Sequence, residues 1–94
     1  MFIDEKFNAV FHEFLKGKIN TDQLACKFRD IFIDELRTAA RKTSDSERIT
    51  HIKRIDNGWR LFVNEKAPIL KKDFFRNLLL KNDPDGKFKK ALGW

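Results

Sequence analysis

Arg48-Ile49-Thr50-His51-Ile52-Lys53-Arg54-Ile55-Asp56-Asn57-Gly58-Trp59-Arg60-Leu61-Phe62-Val63-Asn64 carries two conflicting structural patterns. β-Branched and aromatic residues are dense on both sides of Asn57-Gly58, and both turn residues accept the positive φ of a two-residue type I′ turn. The stretch therefore predicts a β-hairpin. With that turn, Asp56 stands opposite Trp59, Arg54 opposite Leu61 and Ile52 opposite Val63, on a face suited to covering helices. The other face pairs Ile55 with Arg60, Lys53 with Phe62 and His51 with Asn64. The competing pattern is helical. Ile49, Ile52 and Ile55 recur every third residue, and Ser44 with Glu47 fits a capping box, so a helix ending at Gly58 is the alternative.

Two helices are expected before this stretch. Phe2, Ile3, Phe7, Val10, Phe11, Phe14 and Leu15 fall mostly on one stripe, with Glu5, Lys6, Asn8, His12, Glu13 and Lys16 opposite, and Gly17 is a suitable stop. A second helix starts at an Asn20 cap with Gln23 completing a capping box and Ile19 stapling onto Leu24, and its apolar face runs to about Lys42. Arg29 and Glu35 intrude on that apolar arc, as a salt bridge at its edge or as a contact surface. Thr43-Ser44-Asp45-Ser46-Glu47 reads as a loop. Beyond the central stretch, Leu70, Phe74, Phe75, Leu78 and Leu79 repeat at helical spacing, with Asp73 as a cap. Asn82-Asp83-Pro84-Asp85-Gly86 is a turn, followed by a short helix at most.

The expected fold class is thus α+β: a two-helix antiparallel hairpin, then a β-hairpin and a C-terminal helix. All 94 residues are assigned to one small domain, with a helical half over 1–43 and a basic half over 48–94. The order helix, helix, basic hairpin is similar to that of a winged helix, which is one alternative. It requires the second helix to divide near Arg29-Asp30, where neither Gly nor Pro stands. An all-α fold is the other.

Charge is distributed unevenly. Residues 1–47 hold eight Lys/Arg against nine Asp/Glu, and residues 48–94 hold twelve against five, so the formal net charge of +6 belongs to the second half. Such asymmetry is what one basic face produces, and it suits a polyanion or an acidic protein surface. On the hairpin, Lys53 and Arg60 would surround Phe62, with Lys66 and His51 close by, and Arg54 on the other face adds to the basic set. Cations interleaved with an aromatic can hold phosphates while stacking a base. Lys71, Lys72, Lys87, Lys89 and Lys90 extend this candidate binding set. The first expectation is accordingly a non-enzymatic basic protein acting on nucleic acid or a nucleic-acid complex.

Other chemistry finds little support. His12 and His51 are the only histidines, and nothing in the sequence brings them together as acid and base. No catalytic residue, metal ligand set or cofactor is assigned. The four glycines are isolated, the Asn82–Gly86 run lacks the twelve-residue calcium-loop pattern and its closing glutamate, and Cys26 reads as buried and inert. No apolar run spans a bilayer and the first residues do not form a secretory signal, so a cytoplasmic protein without a membrane partner is expected. In size and character, though in no motif, the chain resembles small phage-encoded antagonists of host machinery such as anti-CRISPR proteins. That resemblance implies the second expectation, a regulator or inhibitor docking on a nucleic-acid-binding protein. Phe74, Phe75, Phe88 and Trp94 are its candidate anchors, and the same aromatic surface is compatible with a homodimer.

Overall fold

Ser44 accepts a hydrogen bond from the Glu47 amide at 3.1 Å, and the helix it caps runs straight through Asn57-Gly58. The computed structural model describes residues 3–94, so Phe2, expected on the first apolar stripe, lies outside the described residues. Five helices follow one another: α1 (Ile3–Leu15), α2 (Thr21–Ala40), α3 (Asp45–Lys66), α4 (Phe74–Lys81) and α5 (Lys87–Leu92). No strand occurs among the described residues. The hairpin, the α+β class and the winged-helix alternative are therefore corrected to an all-α fold.

The reason lies in which residues of α3 are buried. Ile52, Ile55, Asp56, Trp59, Phe62 and Val63 are all inside, and their spacing of three and four residues is one face of an α-helix. A hairpin would have split them, sending Phe62 and Val63 to opposite sides. Burying all six outweighs the modest strand preference of β-branched residues. Gly58 then has a different use. Its φ is not positive, and a Cβ there would stand 3.0 Å from Ile3 Cγ2, so the missing side chain admits α1. Gly58→Ala is expected to leave the thermal midpoint within a few degrees. It gains about 1 kcal/mol of helix propensity, offset by crowding the Ile3 branch methyl, which sits on a stiff β-carbon. A fall of more than about 10 °C would instead show that α1 cannot yield at Ile3.

The first two helices form as their patterns predict. Gly17 adopts φ +76° after α1. At α2, the Asn20 side chain accepts from the Gln23 amide at 2.8 Å while Gln23 accepts from the Asn20 amide at 2.9 Å. Lys27 pairs with Glu13 near one end of α1 and Lys6 with Glu35 near the other, so α1 and α2 run antiparallel. With α3 they make an up-down-up bundle. At its centre the Trp59 ring lies 4.9–5.8 Å, centroid to centroid, from Phe7, Phe28, Phe32, Phe62 and Phe74.

The remaining two helices pack on the α2–α3 side. Three contacts from α3 hold α4 in place. Trp59 Nε1 donates to the Lys71 carbonyl at 2.9 Å, Arg60 pairs with Asp73 at 2.7 Å, and Arg76 grips the buried Asp56 with three nitrogen–oxygen contacts of 3.0–3.3 Å. Asp73 thus serves Arg60; its side chain makes no cap hydrogen bond to α4. The turn before α5 forms with Gly86 at φ +67°, and Asp83 Oδ2 accepts from the Phe88 and Lys89 amides, both at 3.0 Å. Among the described residues no helix is long and apolar enough to cross a membrane.

Candidate polyanion interface

A strand would have put Lys53 and Arg54 on opposite faces; on α3 they stand about 100° apart. Lys53 and Arg60 lie on one flank of α3. Lys53 is exposed, whereas Arg60 is engaged with Asp73. Arg54 and Lys66 line a groove of about 510 Å³ between α1 and α3, together with Asp4, Glu35 and Glu65. Three carboxylates beside two cations leave that groove without positive excess. Phe62 is buried among Phe7, Phe11 and Phe28, so its expected role as an exposed stacking ring is corrected. Lys72, Lys89 and Lys90 are exposed, and Lys87 lines a groove with Arg48, Asp45 and Phe88. Of the candidate anchors, Phe75 is fully buried, and Phe74, Phe88 and Trp94 are half-buried against the core.

Lys71 belongs to a different arrangement. It lines a cleft of about 590 Å³ between α2 and α4, with Arg29 and Lys81 as the other charged residues and no carboxylate. Its geometry follows from helix spacing. Phe74, Asn77, Leu78 and Lys81 stand at i, i+3, i+4 and i+7 of α4, and Arg29 and Ile33 at i and i+4 of α2, so each helix presents one row to the other. Arg29 intrudes on the apolar arc of α2 because this edge of the arc borders the cleft. Among the described residues none of the three cations is in an ion pair. Asn82 donates Nδ2 to the Leu78 carbonyl at 2.9 Å, which leaves its Oδ1 available. The Asn77 side chain makes no hydrogen bond among the described residues. Three uncancelled positive charges, two amides and an apolar floor of Ile33, Phe74 and Leu78 meet in one concavity.

No protein-family model matches this chain, and no curated protein or solved structure does. The site therefore rests on its own geometry. Sequence reasoning included Lys71 and noticed Arg29, but missed Lys81, Asn77 and Asn82. The row of Phe74, Asn77, Leu78 and Lys81 is present in the sequence; its partner helix is not.

Glu35, the second intruder on α2, has a structural explanation. It accepts from Lys6 Nζ at 2.9 Å and lies 3.0 Å from His51 Nε2. Burial pushes its carboxyl up, but the hydrogen bond and charge of Lys6, then those of His51, outweigh it and lower the pKa. The cluster fastens α2 to both α1 and α3. His12 lines a separate groove beside Leu15 and Lys66. Cys26 is exposed, which corrects its expected burial. Among the described residues, no three His, Cys, Asp or Glu side chains converge as metal ligands would.

Proposed function

We propose that this is a non-enzymatic nucleic-acid-binding protein that grips phosphates at the α2–α4 cleft, with the exposed lysines around it adding long-range attraction. The observation carrying this reading is the clustering of Arg29, Lys71 and Lys81 around one concavity without a lining carboxylate. An ionised phosphate is the ligand such a set attracts most strongly, and a chain of phosphates allows all three cations to engage. The wider positive field of residues 48–94 would speed encounter and fall away with salt.

Fluorescence anisotropy of a labelled oligonucleotide, titrated at about 25–200 mM salt, tests this. Three phosphate contacts predict a log–log slope of about −2 for a single strand and about −3 for duplex DNA. Arg29→Glu/Lys81→Glu is expected to weaken binding at least about tenfold and to bring the slope near −1. Both side chains are exposed, so the pair should leave the fold intact. No affinity at the lowest salt, or equal affinity for the double variant, overturns the reading.

A further inference from the structure

We infer that the α2–α4 cleft seats one unpaired nucleotide of a single strand, its base on the Phe74–Leu78 floor and its flanking phosphates on Arg29, Lys71 and Lys81. This rests on the nucleic-acid reading above and narrows it. A site for phosphate alone needs cations; it does not need an apolar floor or carboxamides with unused hydrogen-bonding groups. Here all three occur together. Asn77 offers a donor and an acceptor, and Asn82 retains its Oδ1, so both can address a base edge.

Shape points the same way. The cleft, about 590 Å³ and widely open to solvent, has room for a base lying on its floor with the sugar and phosphates outside. Duplex DNA keeps its bases stacked inside a rod, and proteins read their edges with an element that enters a groove. A concavity between two helices cannot enter one. It can receive a base that is already unstacked, as single-strand binders do with an aromatic platform. The platform is held firmly: Phe74 meets Phe32 at 5.6 Å and Trp59 at 5.8 Å, both edge-on. Trp59 also donates to the Lys71 carbonyl, at the cleft's margin. A ligand that moves Lys71 or Phe74 therefore changes the surroundings of the indole.

The test uses that indole as reporter in a Trp94→Phe background, which leaves Trp59 as the single tryptophan. The probes are a mixed-sequence DNA strand of about eight nucleotides, the RNA of the same sequence, the corresponding DNA duplex, and inorganic polyphosphate, all at one low salt concentration. At least one single strand is expected to shift Trp59 emission and to bind about tenfold or more tighter than the duplex. Asn77→Ala, at an exposed site where alanine favours the helix, is expected to weaken single-strand binding several-fold and to leave polyphosphate binding unchanged. Duplex binding equal to or tighter than that of both strands overturns the inference while leaving the phosphate grip standing. An Asn77→Ala variant that binds the strand as well as the parent does the same. Failure of every probe overturns both.

Discussion

Replacing Arg76 with Met is expected to destabilise the protein by about 3–5 kcal/mol, because it strands a buried carboxylate. Asp56 has a side chain only 3% exposed, and Arg76 is its one ion-pair partner among the described residues. The guanidinium also stands 4.5 Å from the Trp94 ring centroid, so the substitution removes a cation–π contact at the same time. Denaturant unfolding followed by far-ultraviolet circular dichroism measures the loss. The informative companion is Asp56→Leu/Arg76→Met. Removing both charges eliminates the stranded anion and fills its place with apolar side chains, so the double variant should recover most of the stability. A single Arg76→Met variant within about 1 kcal/mol of the parent would show that water reaches Asp56 and that the pair matters little.

Trp59→Ala is expected to cost a similar amount, about 3–5 kcal/mol, through loss of a fully buried ring and the cavity it leaves. In a chain this short, that lowers the thermal midpoint by roughly 15–30 °C. Its effect should also reach the cleft. The indole N–H is the hydrogen bond that ties the Lys71 carbonyl to α3, and its ring backs Phe74. Trp59→Phe separates the two contributions. Much of the packing remains, the hydrogen bond is gone, and oligonucleotide affinity is expected to fall further than stability does. Calorimetry and anisotropy on both variants check this, and unchanged affinity in Trp59→Phe would show that Lys71 needs no anchor.

The sequence was informative where one element determines its own structure. Asn20 and Gln23 satisfy each other within one turn, so the start of α2 can be read from four residues. The stretch around Asn57-Gly58 fails the same approach because its two local signals conflict. A turn dipeptide and β-branched residues favour strand, and a stripe of five apolar residues, Ile52, Ile55, Trp59, Phe62 and Val63, favours helix. What settles the conflict is the core supplied by α1 and α2, distant in sequence, which buries one helical face of α3 and brings Ile3 up to Gly58. The charge asymmetry was equally visible, but which of its cations stay unpaired was not. Asp73 and Asp56 are already in the net charge, but only folding shows that they occupy Arg60 and Arg76. The cleft was half-visible for the same reason: Lys71 and Arg29 attract notice singly, and only the docking of α4 on α2 puts them together with Lys81.

The polar contacts that position α4 come from α3, whereas Asn77 and Lys81 of α4 line the cleft shared with α2. Phe74 and Phe75 also pack on Phe32 of α2, so the apolar positions of this eight-residue helix carry the architecture and its polar cleft-side positions are left uncommitted. Arg29, Asn77 and Lys81 are free to be exchanged without disturbing the brace formed by Asp56, Trp59 and Arg60. A scaffold so divided lends itself to retargeting: a library randomised at those three positions should yield mostly folded proteins that differ in what they hold.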